Sequence, residues 1–141
     1  MYDWTAGREL CGQYDMNYVT FASNAEAVYY SSKIVGFVYV GISDQITEGF
    51  YKEYDGKMNS VGSLLNWNNN EPNNGGGSNE DCVQVTANRY NDYPCNLLLK
   101  AGCMSEISFR IESFGCFNFF YFCVEDPHGR KNRGQVSCLF P

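Results

Sequence analysis

The sequence predicts a single α+β domain with two short helices, small antiparallel sheets and one long loop. Its 141 residues are enough to bury one hydrophobic core. Tyrosine, phenylalanine, glycine and asparagine are abundant, whereas charged residues make up only 18% of the chain. This balance favours strands, turns and ordered loops over long solvated helices.

The charge and the cysteines limit the classes of function. A net charge of −6 argues against a general nucleic-acid binder, because counterion-driven affinity needs a basic face. Seven cysteines with no C-x-x-C pair indicate disulfides and a secreted or extracellular setting, and the odd number leaves at least one thiol without an intrachain partner. No apolar run approaches the ~20 residues of a membrane span. No signal peptide opens the chain, so we expect a mature product or an N-terminally incomplete one.

Two helices are predicted near the start of the chain. The pattern over Asp3–Gln13 indicates a short amphipathic helix, weakened by Gly7 in its interior. The residues that predict its apolar side are Trp4, Ala6, Leu10 and Cys11. Ser23 and Glu26 form a capping box, which predicts a second helix from about Asn24 to Lys33.

The strands are predicted from β-branched and aromatic runs that end at turn residues. Gly36–Ile42 is the best candidate for the central strand, and Phe50–Tyr54 reads as a strand that enters a tight turn at Asp55-Gly56. A hairpin is predicted over Cys82–Thr86 and Tyr90–Tyr93. The last segments that fit a compact domain are Leu97–Leu99 and Gly102–Met104.

The chemistry is concentrated between Trp67 and Cys95. Residues Lys57–Asn79 show little periodicity, which indicates a long functional loop. Three clusters of carboxylate and carboxamide oxygens lie in or beside this loop, and such oxygens are the ligands that calcium prefers. The clusters are Glu71-Pro72-Asn73-Asn74, Glu80-Asp81-Cys82 and Tyr90-Asn91-Asp92. With Asp44 and Glu48 they bring together acidic side chains whose mutual repulsion bound cations would neutralise.

Seven elements of the chain follow one another in a recognisable order. They are Trp4 with Cys11, Val38–Ile42, Asp44–Gly49, Glu71-Pro72-Asn73, Glu80-Asp81-Cys82, Tyr90-Asn91-Asp92, and Cys95 with Cys103. In this order they resemble the C-type lectin domain family, and within it the mannose-type, calcium-dependent carbohydrate-recognition domains. The resemblance implies the C-type lectin-like fold for residues 1–109, with the family's first strand missing. Residues 110–141 form a tail without a family counterpart.

The resemblance implies a principal calcium site that also binds the sugar. Its side-chain ligands would be Glu71, Asn73, Glu80, Asn91 and Asp92, with the Asp92 backbone carbonyl in addition. Two vicinal sugar hydroxyls would complete the calcium shell, and they would also form hydrogen bonds with Glu71, Asn73, Glu80 and Asn91. Galactose-type members of the family carry Gln-Pro-Asp where this chain has Glu-Pro-Asn. The expected partners are therefore glycans bearing mannose, N-acetylglucosamine, glucose or fucose.

The resemblance also implies several supporting features. A second calcium would use Asp44, Glu48, Glu80 and the Asp81 carbonyl. Asn74 stands where the family prefers aspartate, so this site is expected to be weaker or sometimes empty. Pro72 is expected to follow a cis peptide bond in the metal-bound form. The implied disulfides are Cys11–Cys103 and Cys82–Cys95, although other pairings are formally possible.

Other functions compete with sugar binding. The same scaffold could serve a protein partner or ice, or the chain could be a truncated variant that has lost sugar binding. An enzyme is not expected, since the sole histidine, His128, lies in the tail and no catalytic motif is present. Glu71 and Glu80 could mimic a glycosidase dyad, but such a dyad does not need Asn73 or Asn91. A single sugar site binds weakly, so clustering or oligomerisation is expected.

The tail, Arg110–Pro141, permits three interpretations. It is an altered C-terminus, a replacement strand through Phe117–Val124, or an assembly segment whose odd cysteine forms an intermolecular disulfide. Zinc binding would need Cys116, Cys123, His128 and Cys138, and their spacing matches no compact zinc finger. Disulfides or free thiols are the favoured interpretation of these cysteines.

Overall fold

The computed structural model describes residues 1–105, apart from 22, 33, 35, 55–60, 76–78 and 87, together with the strand 119–122. It is an α+β fold with two helices and an antiparallel-rich sheet, as the sequence predicts. The elements in chain order are α1 (Trp4–Gln13), β1 (Asn17–Tyr18), α2 (Asn24–Ser31), β2 (Val38–Ser43), β3 (Lys52–Glu53), a short 3-10 helix (Gly62–Leu64), β4 (Cys82–Thr86), β5 (Arg89–Tyr93), β6 (Lys100–Ser105) and β7 (Phe119–Phe122).

Helix α2 begins at the residue that the sequence predicts as its cap, and α1 has a cap of the same kind at Asp3. The Asp3 side chain accepts a hydrogen bond from the Ala6 N–H (2.8 Å), and Ser23 accepts one from the Glu26 N–H (3.2 Å). Each bond satisfies a backbone donor that the first helical turn leaves free. The predicted end of α2 at Lys33 and the predicted turn at Asp55-Gly56 lie outside the described residues.

The central strand β2 organises the sheet. The strand order is β1-β6-β2-β4-β5, with β3 pairing β2 and β7 pairing β6. Strand β2 runs parallel to β6 and antiparallel to β4, and all six of its residues are buried. Strands β4 and β5 form the predicted hairpin, with Gln84 opposite Asn91 and Val83 opposite Asp92.

The two faces of β2 pack against different helices. Val38, Val40 and Ile42 belong to a core cluster that also contains Tyr30 of α2. Tyr39 belongs to a second cluster that contains residues of α1, among them Trp4 and Cys11. Because successive side chains of a strand point to opposite faces, this alternation places the two helices on opposite sides of the sheet.

The long loop is anchored more firmly than its sequence predicts. Val61 and Leu65 are 2% and 5% exposed and belong to the first core cluster. The Trp67 indole N–H donates to the Gly62 carbonyl (2.9 Å), and its ring lies edge-on to Tyr51, with centroids 4.8 Å apart. The segment before the candidate ligands therefore has a fixed position on the core.

The strand predicted over Phe50–Tyr54 is shorter in the structure. Only Lys52 and Glu53 pair with β2, opposite Ser43 and Ile42. The flanking aromatic side chains of Phe50 and Tyr54 stay 58% and 47% exposed. Tyr54 still donates its N–H to the Gly41 carbonyl of β2 (2.8 Å), but the ladder of paired residues ends at Glu53, so the aromatic pattern overestimates this strand.

The edge of the sheet is closed by two chain segments. Tyr2 pairs antiparallel with Leu99, exchanging backbone hydrogen bonds of 2.7 and 2.9 Å. Strand β7 pairs antiparallel with β6, from Gly102 opposite Phe122 to Ser105 opposite Phe119. This pairing agrees with the replacement-strand interpretation of the tail. Cys116, Cys123, His128 and Cys138 lie outside the described residues.

Two disulfides join the same pairs that the resemblance implies. Cys11 of α1 is bonded to Cys103 of β6, across 92 residues of sequence. Cys82, the first residue of β4, is bonded to Cys95, which follows β5. The second bridge closes the open end of the hairpin, next to Asp81 and Asp92.

Candidate functional site

The candidate site lies where the long loop runs along the outer edge of β5. Trp67 pairs parallel with Tyr90, and the Asn68 N–H donates to the Tyr90 carbonyl (2.7 Å). The Arg89 guanidinium donates to the Asn66 side chain and to the Trp67 carbonyl. These bonds bring Glu71 and the residues that follow it beside Asn91 and Asp92.

Asp92 forms the floor of the site. It is completely buried, and its carboxylate accepts hydrogen bonds from the backbone N–H groups of Asn73 (3.0 Å to Oδ2) and Asn74 (2.7 Å to Oδ2). Bonds from N–H groups to an ionised carboxylate are stronger than those between neutral groups. Asp92 thereby fixes the backbone of the Glu-Pro-Asn segment, whose Glu71–Pro72 peptide bond is cis, as the resemblance implies.

Glu80 lies on the opposite side of the loop. Its carboxylate Oε2 accepts a hydrogen bond from the Gly75 N–H (2.6 Å). Its own backbone N–H donates to Asn74 Oδ1 (2.8 Å). These two bonds hold Glu80 against Asn74 and Gly75. The Glu80 carboxylate therefore lies in the same group of oxygens as Glu71, Asn73 and Asp92.

Glu71 is the residue that most clearly indicates a cation-binding site. Its Oε2 atom is buried and has no hydrogen-bond partner among the described residues. Burial raises the pKa of Glu71 to about 7, with further contributions from a hydrogen bond to Asp92 and from the charges of Asp92 and Glu80. Burial and the Asp92 charge also raise the pKa of Glu80, against the lowering effect of the Gly75 hydrogen bond. A bound cation would relieve both effects.

The remaining principal-site residues are close to this group. The Asn91 side-chain N–H donates to the Asp92 backbone carbonyl, so the Asn91 carboxamide is held beside that carbonyl. Asn73 Oδ1 lies beside Gly75 Cα, on the same side as Glu80 Oε2. These contacts link Glu71, Asn73, Glu80 and Asp92, and Asn91 joins them through its bond to the Asp92 carbonyl.

The predicted second group surrounds Asp44. This residue is 3% exposed; its Oδ2 accepts a hydrogen bond from the Gly49 N–H (2.8 Å), while Oδ1 has no partner among the described residues. Burial raises the pKa of Asp44, against the Gly49 hydrogen bond, and the charges of Glu48 and Asp81 add to the rise. The Asp44 N–H bonds the Asp81 carbonyl (3.0 Å), which holds these two residues together.

Tyr51 links the two acidic groups, and the sequence gives no sign of this role. Its hydroxyl lies 3.5 Å from Asp92 Oδ2. Burial raises the pKa of Tyr51, and the charges of Asp44 and Asp92 raise it further. The sequence shows Tyr51 only as one aromatic residue of a predicted strand, because the contact with Asp92 spans 41 positions.

Carboxylates alone do not form a metal site in the part of the chain that is described. No three histidine, cysteine, aspartate or glutamate side chains there are grouped closely enough to hold a metal ion. The sequence-predicted ligand set includes the carboxamide oxygens of Asn73 and Asn91 in addition to the carboxylates. A mixed set of this kind suits calcium, which accepts carboxylate, carboxamide and backbone oxygens.

The comparison with protein families decides the affiliation of the chain. A family model described as the lectin C-type domain matches residues 1–105. The chain belongs to the C-type lectin domain family. Domains of this family generally bind carbohydrate, generally with calcium, and are binding domains and not enzymes.

Known C-type lectin proteins resemble the chain over its family region. It is 34% identical to the CD209 antigen of Nomascus concolor over 98 residues, which cover 67% of this chain and 24% of that protein. The chain thus spans about a quarter of the length of this relative. No helix in the described residues has both the length and the apolar character needed to cross a membrane.

Solved structures share the fold at low identity. The human scavenger receptor C-type lectin carbohydrate-recognition domain matches with a TM-score of 0.62 and 23% identity, over 72% of this chain and 81% of that one. A calcium-independent type II antifreeze protein matches with a TM-score of 0.59 and 22% identity, over 72% and 76%. Because the same fold occurs in both proteins, the fold alone does not decide the ligand of this chain.

Gly75 is a second residue whose role the sequence does not reveal. A Cβ atom at this position would collide with Asn73 Oδ1 and would lie 3.3 Å from Glu80 Oε2. We expect Gly75→Ala to displace the Asn73 carboxamide and to weaken calcium binding about tenfold, roughly the loss of one good ligand interaction. Isothermal titration with calcium measures the change.

A matched glycine variant provides the control. Gly12 has nothing within 4 Å of its Cβ position and lies in α1, away from the site. Gly12→Ala is expected to leave calcium affinity unchanged and to stabilise the helix by about 0.5–1 kcal/mol. Equal calcium affinities for the Gly75→Ala and wild-type proteins would show that the Asn73 carboxamide has no role in holding the metal.

Proposed function

We propose that this domain binds mannose-type glycans through a calcium ion held by Glu71, Asn73, Glu80, Asn91 and Asp92. The observation that carries the proposal is the partnerless, buried Oε2 of Glu71, in a group of carboxylates tied together by Asp92 and Glu80. Burying these carboxylate oxygens close together costs free energy, and a bound divalent cation would offset that cost.

The protein groups have distinct roles in this proposal. Calcium, when bound, supplies coordination positions for two vicinal sugar hydroxyls. The Asn73 and Asn91 carboxamides donate hydrogen bonds to these hydroxyls, while the Glu71 and Glu80 carboxylates accept from them. Asp92 is fully buried and anchors the loop through its bonds to the Asn73 and Asn74 N–H groups. Rigid placement by the loop and the β4–β5 hairpin lowers the ordering cost of binding.

The order of donor and acceptor selects the sugar. Glu71 would accept and Asn73 would donate, an order that resembles that of the family's mannose-type members. Sugars with equatorial vicinal hydroxyls fit this order. They include mannose, N-acetylglucosamine and glucose, and also fucose through other hydroxyls. We therefore propose glycans or glycoproteins that bear these sugars as the partners.

The setting follows from the same features. Two disulfides in the described residues favour an oxidising, extracellular location, and we propose that the domain acts there. A site that contacts only two hydroxyls binds weakly, so useful affinity requires several domains on one glycan-bearing surface. The principal calcium is central to this proposal, whereas a second calcium near Asp44 is not required by it.

The specificity can be tested by exchanging donor and acceptor. In the variant Glu71→Gln with Asn73→Asp, the two side chains keep their size while their hydrogen-bonding roles are reversed. We expect free mannose to release the wild type from immobilised mannose at least tenfold more effectively than galactose does, and free galactose to release the variant from immobilised galactose more effectively than mannose does. A wild type that prefers galactose, or that binds neither sugar in calcium, would overturn the proposal.

Acid is expected to weaken calcium binding well above the usual carboxylate range. Because the pKa of Glu71 in the metal-free protein is raised to about 7, protons compete with calcium as the pH falls through neutrality. We expect the apparent calcium affinity to fall at least tenfold between pH 7.5 and pH 5.5, measured by titration calorimetry. An affinity that stays constant over this interval would contradict the assignment of Glu71.

The raised pKa of Glu71 also predicts how the stability of the metal-free protein depends on pH. Here acid is expected to stabilise, whereas it weakens calcium binding. A carboxyl whose pKa is raised on folding stabilises the fold below its ordinary pKa of 4.5, and this contribution is lost as the pH rises through about 7. In chelator, Glu71→Gln should therefore melt higher than the wild type at pH 8. The difference should disappear near pH 4, where both side chains are neutral.

A further inference from the structure

Tyr51 is a buried tyrosine whose hydroxyl faces the floor of the site. Its side chain is 3% exposed, and the hydroxyl lies 3.5 Å from Asp92 Oδ2. The same carboxylate oxygen accepts from the backbone N–H groups of Asn73 (3.0 Å) and Asn74 (2.7 Å). Because a tyrosine hydroxyl carries one proton, Tyr51 can add one side-chain donor to these two backbone donors.

The position of the hydroxyl is fixed by the packing of its ring. The ring lies edge-on to Trp67, with centroids 4.8 Å apart, and the Trp67 indole N–H donates to the Gly62 carbonyl (2.9 Å). The Tyr51 carbonyl accepts a hydrogen bond from the N–H of Val61 (2.9 Å), which is also buried. A side chain that is held by packing in this way can keep a neighbouring group in one orientation.

The hydroxyl also lies near Asp44, the second buried carboxylate. Burial raises the pKa of Tyr51, and the charge of Asp44 raises it further, followed by the charge of Asp92. Asp44 Oδ1 is buried and has no hydrogen-bond partner among the described residues. One proton cannot be donated to two carboxylates at once, which agrees with the long contact of 3.5 Å to Asp92.

The hydroxyl connects Asp92 to the core and not to the loop. Asp92 is completely buried, so the direction of its carboxylate depends on donors within the protein. Both backbone donors belong to the loop that carries the other proposed ligands. Tyr51 instead belongs to the first core cluster, together with Val61 and Leu65. A donor from the core orients the carboxylate independently of the loop.

We propose that Tyr51 is a positioning residue of the calcium site, whose hydroxyl orients the Asp92 carboxylate from the side of the core. This inference rests on the proposed function, because Asp92 is a ligand only if the domain binds calcium there. Tyr51 does not contact the ion and acts through Asp92. Loss of its hydroxyl should therefore weaken calcium binding, whereas loss of an equally buried hydroxyl elsewhere should not.

The test compares two variants that each lack one oxygen atom. Tyr51→Phe removes the hydroxyl and keeps the ring against Trp67. Tyr39→Phe is the matched control, because Tyr39 is also buried and its hydroxyl donates to the Pro94 carbonyl, in the second core cluster. Calcium titration calorimetry measures the affinities, and melting temperatures in excess chelator establish that both variants are folded.

A second measurement examines the Asp92 carboxylate in the metal-free proteins. The N–H groups of Asn73 and Asn74 share Asp92 Oδ2 with the Tyr51 hydroxyl, so their amide proton signals report on that oxygen. In chelator, we expect both signals to move in Tyr51→Phe and to stay in place in Tyr39→Phe. Unmoved signals in Tyr51→Phe would show that the hydroxyl does not act on Asp92, and would overturn the inference.

We expect Tyr51→Phe to bind calcium about tenfold more weakly than the wild type, and Tyr39→Phe to stay within about twofold. A calcium affinity of Tyr51→Phe within about twofold of the wild type would overturn the inference and leave the proposed function standing. Equal losses in the two variants would also overturn it, because they would indicate a general loosening of the core. A wild type that binds no calcium would reject the proposed function, and the inference with it.

Discussion

Replacing Asp92 with asparagine is expected to weaken calcium binding by at least 100-fold, about 2.7 kcal/mol. Asp92 is completely buried, and its carboxylate accepts from the backbone N–H groups of Asn73 and Asn74. Each hydrogen bond to a charged group contributes about 1.5–3 kcal/mol, and asparagine would remove the negative charge that strengthens both of these bonds. The variant loses a proposed ligand and also releases the loop that carries Glu71 and Asn73.

Asp15 provides the control for this charge change. It is exposed, and its backbone is also left-handed, with φ of 54°, a conformation that asparagine accepts. Asp15→Asn should bind calcium like the wild type, because it lies after α1 and takes no part in the site. If calcium titration of Asp92→Asn gave an affinity within threefold of the wild type, Asp92 would have neither of its two proposed roles.

Removing the disulfide between Cys11 and Cys103 is expected to have the largest effect on stability. The bridge spans 92 residues, and the chain-entropy model gives about 4.5 kcal/mol for a loop of this length. Alanine at both positions avoids burying new polar groups, since both cysteines are at most 1% exposed. A domain of ordinary stability, about 5–15 kcal/mol, would lose a large part of its free energy of unfolding.

The shorter bridge gives a matched comparison in urea. Cys82 and Cys95 are 13 residues apart, so their double alanine variant should lose about 3 kcal/mol. Since this bridge closes the end of the hairpin beside Asp81, its loss should weaken calcium binding as well. If the Cys11/Cys103 variant unfolded at the same urea concentration as the wild type, the long bridge would not restrain the unfolded chain as the model requires.

Much of the fold could be predicted because its signals are local. The cap at Ser23 and the hairpin over Cys82–Tyr93 follow from neighbouring residues, and the structure places both where the sequence indicates. The buried anchors Val61 and Leu65 were not predicted. They stand in a segment without periodicity, and their burial depends on partners far away in sequence.

The candidate site was predicted as a set of residues but not as a set of contacts. The resemblance to a family supplied Glu71, Asn73, Glu80, Asn91 and Asp92, and the structure brings them together. Their identity as ligands stays a prediction. The roles of Tyr51, Gly75 and Asn74 arise from contacts across the loop, such as the approach of Asn73 Oδ1 to the Gly75 Cα. The sequence records the residues but not these distances.

The most direct test of calcium-dependent sugar binding is chromatography on immobilised mannose with controlled calcium. We expect the protein to be retained in millimolar calcium, to elute sharply when a chelator is added, and to be retained again when calcium is restored. Circular dichroism in chelator would establish that the eluted protein is still folded. Retention that persists in chelator, or folded protein that passes through the column in calcium, would contradict the account.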